Sequence, residues 1–150
     1  MAGMLHDVGK IAIPHEILRK PGPLDEGEWQ VMRRHPVLGA DLLSRLPVSN
    51  RLSMIVAFEH HIRFDMRGYP SVSAGWTQHP VSRLACVADV FDAMTSRRAY
   101  KKAIPNTDVR GYVRDEAGQT FDPRLVRVLD LMLGQLEEET PEEDARGRTA

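Results

Sequence analysis

Cysteine is almost missing from this 150-residue chain: Cys86 stands alone, so no internal disulfide framework can hold it together. It lies in the apolar run Leu84-Ala85-Cys86-Val87-Ala88, where it reads as buried filler. No stretch approaches the ~20 apolar residues that cross a bilayer. The N-terminus lacks a signal-peptide layout, so a reducing cytoplasm is the expected setting. No internal repeat occurs, and no run alternates at period two. The expected fold class is therefore all-α. Net charge is also nearly absent, at -1, which argues against a nucleic-acid polymer as partner. With 42% hydrophobic and 27% charged residues the chain reads as one ordinary domain. At this length it can remove roughly two-thirds of its unfolded surface from water.

The near-zero charge conceals a split. Residues 137–150 carry six acids against Arg146 and Arg148, and the rest of the chain is mildly basic. The expected organisation is a domain over residues 1–136 and an acidic, disordered tail over 137–150.

Helix signals are frequent. Asp25 with Glu28 has the spacing of a capping box, opening a helix that runs through Met32 and stops near His35-Pro36. A second helix begins at Pro36, with Val37, Leu38, Leu42, Leu43 and Leu46 as its apolar side. Residues 50–61 read as a third, with Leu52, Ile55, Val56 and Phe58 inward. Residues 80–97 form the strongest pattern, through Val81, Leu84, Ala85, Ala88, Phe91 and Met94. Asp122-Pro123 opens a last helix that Gly134 should end, with Leu125, Val126, Leu129, Met132 and Leu133 inward. Residues 62–79 read as loop, and 101–122 as half helical. Residues 1–9 would form a helix without a cap.

Several polar residues do not fit a solvated surface. His6-Asp7 puts an imidazole and a carboxylate side by side on an apolar segment. His60-His61 pairs two imidazoles at a helix end, and Asp89 sits inside the most apolar helix. Each alone has an ordinary reading, such as a His–Asp hydrogen bond or a buried salt bridge. Together with His35 they offer four to six nitrogen and oxygen donors. That set suits a centre of two divalent metals, which clamps a phosphate and activates water. Lys10, four residues after His6, would share its face. Asp92 either orients a ligand histidine or caps a loop. Arg97, Arg98, Lys101 and Lys102 either complement a helix C-terminus or grip a phosphate.

The order His6-Asp7-Val8-Gly9-Lys10, Ile13-Pro14, Lys20-Pro21-Gly22-Pro23-Leu24, His35-Pro36, His60-His61, Gly68-Tyr69-Pro70 and Ala88 to Tyr100 resembles the HD-GYP domain. That domain is a branch of the HD metal-phosphohydrolase superfamily. Phe121-Asp122-Pro123 is similar to its late Phe-Asp-Pro element. The resemblance implies a multi-helix bundle that hydrolyses cyclic di-GMP to pGpG, and in some members on to GMP. It implies His6, Asp7, His35, His60, His61 and Asp89 as metal ligands, with Asp7 bridging two ions. Lys10 would act with Asp7 in catalysis and contact the scissile phosphate. Arg98 and Lys101 would hold the other phosphate or a guanine, and Tyr69 would shape the pocket edge. The metals would be two, iron or manganese. His15 matches a position that holds a third in some members. Diguanylate cyclase domains are partners that the family's Gly-Tyr-Pro loop can serve, and a homodimer is left open.

Two departures stand out. Ile62 occupies the place of an acid and Met66 that of a glycine, so strain or a reshaped loop is expected at Met66. The resemblance also places one or two helices, with a further His ligand, before the His-Asp pair. Only five residues precede His6 here, so the expectation is a bundle lacking its first one or two helices. Two other readings stay open. One is a module that binds a cyclic dinucleotide or a protein without hydrolysis. The other is an HD phosphohydrolase of a different nucleotide, such as (p)ppGpp or a deoxynucleotide.

Overall fold

The structure, a computed structural model, describes residues 2–47, 50–96 and 106–138. Among these the fold is all-α, without a strand. Two short 3-10 helices, Ala2–Leu5 and Val8–Ala12, replace the single helix expected at the start. His6 and Asp7 form the turn between them. Seven α-helices follow: α1 His15–Leu18, α2 Glu26–Met32, α3 His35–Ser44, α4 Arg51–Glu59, α5 Pro80–Thr95, α6 Asn106–Asp115 and α7 Pro123–Glu138.

Local chemistry explains most of the boundaries. Asp25 accepts from the Glu28 N–H at 2.9 Å while Glu28 accepts from the Asp25 N–H at 2.8 Å, the reciprocal cap that opens α2. Asn50 opens α4 by accepting from the Ser53 N–H at 2.8 Å. Pro36 and Pro80 lie in the first turns of α3 and α5, where a missing N–H is harmless. Gly134 does not end α7, which continues to Glu138. A single glycine weakens a helix by only about 1 kcal/mol. The remainder of the acidic tail, 139–150, lies outside the described residues.

The buried faces differ from those the apolar pattern suggests. In α3, which ends before Leu46, Val37 is exposed, and His35, Pro36, Gly39 and Leu43 are buried; Leu46, just beyond the helix, is exposed. The reason is what α3 packs against: α4 on one side and the turn Val8–Ala12 on another. In α5, Leu84 is 55% exposed while Ser82, Cys86 and Val87 are buried. That helix has α4 along one side and α6 and α7 along another, so its inner stripe follows its neighbours. Leu52 and Met132 are likewise exposed.

The apolar core lies in the C-terminal half, formed by Cys86, Val87, Val109, Val113, Phe121 and Val126. Burying each of the larger of these side chains contributes roughly 1.5–3 kcal/mol. Cys86 is free, and burial pushes its thiol up to about 11, so it is inert filler as expected. The N-terminal half buries Ile13, Leu43, Val56, Ala57 and Ile62 outside that cluster. Its interior is where the histidines collect.

The 62–79 loop bridges the halves. Ile62 is wholly buried, which accounts for an apolar residue where the family resemblance has an acid. Phe64 N–H donates to the Thr120 carbonyl at 3.1 Å and Asp65 N–H to that of Gln119 at 2.9 Å. Met66 adopts φ 64, the left-handed conformation that glycine would accept without cost, so the loop keeps its shape and Met66 carries the strain.

Candidate metal centre

Four main-chain elements bring the site together. The turn before Val8–Ala12 presents His6 and Asp7, the start of α3 presents His35, the end of α4 presents His60 and His61, and the middle of α5 presents Asp89. The closest approach is between Gly9 and the first turns of α3. A Cβ on Gly9 would stand 1.9 Å from the His35 carbonyl oxygen and 2.5 Å from the Gly39 nitrogen. A side chain at Gly9 would keep the backbones from touching there, and that contact draws Asp7 onto His35.

The histidines are oriented by main-chain carbonyls. His35 Nδ1–H donates to the Met32 carbonyl at 2.8 Å, using an acceptor left open at the end of α2. His60 Nδ1–H donates to the carbonyls of Val56 and Ala57 at 3.1 and 3.0 Å. These bonds assign the tautomers: in both rings the proton is on Nδ1 and the lone pair on Nε2. The two Nε2 atoms lie 3.2 Å apart. Asp7 Oδ1 lies 3.3 Å from that of His35 and 3.8 Å from that of His60. Three acceptors thus converge with no proton between them, and Asp7 Oδ1 is buried without a hydrogen-bond partner. Such a set repels itself unless a cation sits among it. His61 joins this group, the ligand atoms of Asp7, His35, His60 and His61 all lying within 4.8 Å of one another. Three imidazoles and a carboxylate fit a divalent transition metal.

A second cluster adjoins the first. His6 Nδ1–H donates to the Gly3 carbonyl at 2.5 Å. Its Nε2 faces Asp7 Oδ2 and Asp89 Oδ1, each at 3.4 Å, without an aligned hydrogen bond to either. Asp7 therefore points one oxygen into each cluster. Lys10 reaches Asp7 Oδ2 at 2.6 Å. It does so across the 3-10 turn and does not share a helix face with His6 as the spacing suggested.

The carboxylates and imidazoles also set one another's protonation. For Asp7, burial opposes ionisation, but the charge that His35, His6 and His60 carry when their Nε2 is protonated, with that of Lys10, outweighs it and holds the carboxyl well below the usual carboxylate range. Asp89 is also held low, chiefly by His6. The Asp7 and Asp89 carboxylates raise His6 to about 10 against its partial burial. His61 goes the other way, down to about 3, because burial and the neighbouring His60 and His35 disfavour its charge. Its imidazole is neutral near pH 7 and free to ligate.

Tyr69 stacks on His61 with ring centroids 4.5 Å apart. Gly68, at φ 91, makes this possible: a Cβ there would meet the His61 carbonyl oxygen at 2.3 Å. Burial, and then the Asp7 charge, raise the Tyr69 phenol to about 12. A cleft of about 410 Å³ opens over the cluster, walled by Asp7, Lys10, His35, His61, Tyr69 and Asp89. Trp29, Met32, Leu18, Leu24 and Ala93 complete it, none of which the sequence marked as a site residue.

His15 is exposed at the start of α1, outside this group. His79 caps α5, accepting from the Val81 N–H at 3.2 Å. Asp92 accepts from the Ser96 hydroxyl at 2.9 Å, a local cap. Arg98 and Lys101 lie outside the described residues. A buried acid that the sequence reading overlooked, Glu59, accepts from Trp76 Nε1 at 3.0 Å and the His79 N–H at 2.8 Å. Gln78 donates to the carbonyls of Glu59 and Ile62 at 3.2 and 2.8 Å. Together they fasten the far end of the loop to the helix end that carries His60 and His61. The one sequence signal was an acid in an otherwise apolar stretch.

Comparison with known proteins bears on the same residues. The HD domain family matches residues 1–125. The chain is 44% identical over 141 residues to the cyclic di-GMP phosphodiesterase response regulator RpfG of Xanthomonas campestris pv. campestris, covering 92% of this chain and 37% of that protein. It is 42% identical over 133 residues to the 3'3'-cGAMP-specific phosphodiesterase 2 of Vibrio cholerae, covering 85% and 25% respectively. Against a cyclic di-GMP phosphodiesterase of Thermotoga maritima it is 40% identical over 128 residues, covering 83% and 34%. The chain thus spans between a quarter and two-fifths of the length of these relatives. Among the described residues no helix is long and apolar enough to cross a membrane.

Proposed function

The chain belongs to the HD domain family, with the motif order of its HD-GYP branch, and from that premise we propose that it carries the catalytic machinery of a metal-dependent cyclic di-GMP phosphodiesterase. The observation that supports this most is the convergence of His35 Nε2, His60 Nε2 and Asp7 Oδ1 with no proton to share. On this reading the cations are two, iron or manganese: one held by Asp7, His35, His60 and His61, the other by His6, Asp7 and Asp89. Bound there, they polarise a phosphoryl oxygen and lower the pKa of water. The reaction adds water across one phosphodiester, so that the P–O3′ bond breaks and the 3′ oxygen leaves as a hydroxyl. The products are linear pGpG and, after a second cleavage, GMP.

The chain's own groups have distinct tasks. Asp7 positions both halves of the centre through its two oxygens. Lys10, anchored on Asp7, sets a positive charge on the cleft wall, where it meets a phosphoryl oxygen and favours departure of the 3′ oxygen. Tyr69 holds the His61 ring and closes the cleft's edge. Arg98 and Lys101 would add charge for the second phosphate. The exposed rim at Arg67-Gly68 is available to a diguanylate cyclase domain, and the substrate places the protein in the cytoplasm.

The test is hydrolysis of cyclic di-GMP by protein purified without oxygen and loaded with Fe or Mn, beside Asp7→Ala. Metal per chain, measured by plasma mass spectrometry, should approach two in the native protein and fall in the variant together with turnover. Unchanged turnover in Asp7→Ala would refute the assignment. Retained dinucleotide binding without turnover at saturating metal would favour a non-catalytic binding module.

A further inference from the structure

Beside the cleft over the histidine–aspartate cluster lies a second hollow of about 500 Å³, lined by Trp29, Arg33, Gly68, Tyr69 and Ser71. Trp29 and Tyr69 line both, so a ligand anchored at the metal cluster reaches the second hollow across two aromatic rings. Trp29 and Arg33 are four residues apart on α2 and its C-cap, hence on one face. The Arg33 guanidinium stands 5.7 Å from the Trp29 ring centroid, a cation–π contact that keeps it at the hollow's wall. Its ion pair with Glu26, at 3.5 Å, is exposed on both sides and weak, so the guanidinium can turn to a ligand.

Flat aromatic walls, a planar two-pronged donor and a serine hydroxyl suit a flat heterocycle with acceptors along one edge. Guanine has that edge in O6 and N7, and arginine donates to both at once. Adenine offers N7 but sets an N6 donor beside it, which meets the second guanidinium N–H donor against donor. The permanent charge of Arg33, in the hollow next to that cleft, also attracts an anionic ligand.

We propose that this hollow receives the purine that lies outside the cleft over the histidine–aspartate cluster, and that Arg33 selects guanine there over adenine. The proposal rests on the phosphodiesterase reading above. It makes Arg33 a specificity determinant for the second base, separate from the groups that hold metal.

The mixed dinucleotide 3'3'-cGAMP tests this, because its two phosphodiesters are inequivalent. If the outer pocket requires guanine, the native chain opens one of them preferentially and yields one linear isomer, pGpA or pApG, in excess. Arg33→Met keeps the aliphatic stem and removes the donors. It should bring the two isomers to near equality and lower kcat/KM for cyclic di-GMP by roughly 5- to 150-fold. Calorimetric affinity of the metal-loaded protein for a phosphorothioate analogue of cyclic di-GMP that resists hydrolysis should fall by a similar factor. Arg33 is exposed, and an unchanged urea midpoint would show that the variant folds. Equal isomers from the native chain would overturn the proposal. So would an Arg33→Met protein that loses both substrates alike with its isomer ratio intact, the outcome expected if Arg33 holds a phosphate. A native chain that binds and hydrolyses neither dinucleotide would instead refute the phosphodiesterase reading, and this proposal with it.

Discussion

The contact between Gly9 and α3 should be the least forgiving point of the fold, and Gly9→Ala is the substitution that tests it. The added methyl would lie 1.9 Å from the His35 carbonyl oxygen, 2.5 Å from the Gly39 nitrogen and 2.9 Å from the Gly39 Cα. All three obstacles are backbone, so no side chain can swing aside. Relief to 3.0 Å requires the turn and α3 to part by about 1.1 Å. Overpacking of this kind costs about 1–3 kcal/mol. With a urea slope of about 2 kcal/mol/M, a loss of about 2 kcal/mol lowers the unfolding midpoint by about 1 M. The same displacement moves Asp7 away from His35 Nε2, now 3.3 Å distant, so metal affinity should fall by about 10- to 100-fold. Gly39→Ala is the control. Its Cβ would meet the Gly9 nitrogen at 3.0 Å and Val8 Cγ1 at 3.4 Å, contacts that tenths of an ångström relieve. Alanine also favours helix over glycine by about 1 kcal/mol. Net stability should then change by less than about 1 kcal/mol. Urea unfolding and metal titration of both variants decide the matter. A Gly9→Ala protein with native midpoint and metal content, or two variants equally damaged, would refute the reasoning.

Other outcomes follow from named contacts. Glu59→Ala leaves the Trp76 indole and the His79 N–H without their acceptor, and should cost about 2–4 kcal/mol with a red shift of Trp76 emission; an unshifted spectrum would speak against the buried pairing. Burial works against ionised Asp122, but the Arg124 N–H and the Arg83 guanidinium outweigh it and lower its pKa below the ordinary 3.8. A depressed carboxylate stabilises above its unfolded pKa and loses that contribution as pH falls through the folded value. The stability gap between native protein and Asp122→Asn should therefore be full near about pH 6 and shrink below about pH 4, as read by urea unfolding across that range. Chelation should lower the thermal midpoint of the native chain, since a ligand that binds only the folded state stabilises it. In Asp7→Ala the same treatment should change nothing, and an equal drop there would place the metal elsewhere.

How much of this was legible beforehand depended on how local the signal was. The starts of α2, α3, α4 and α5 each rest on a cap or proline within a few residues, and the sequence shows them. The candidate ligands were legible because His6, Asp7, His35, His60 and Asp89 are polar side chains on apolar elements, which a core would not choose. The inner faces of α3 and α5 were not, because a helix with neighbours on two sides buries whatever faces them, including Gly39 and Ser82. The 3-10 turns flanking His6-Asp7 escaped the helical period for a similar reason: the Gly9 contact with α3 shapes them. Trp29 and Arg33 looked like ordinary residues of a surface helix until Tyr69, forty positions later, was set beside them.

The bonds from His35 and His60 to helix-end carbonyls have a kinetic consequence. The Val56 carbonyl accepts both the His60 amide, at 3.0 Å, and the His60 ring. Fraying of the last turn of α4 therefore breaks the amide's protection and frees the imidazole to rotate in a single event. Amide hydrogen exchange at His60 and dissociation of a cation held there should share one opening rate. That rate is set by the helix end, and it bounds how quickly the centre can trade one ion for another.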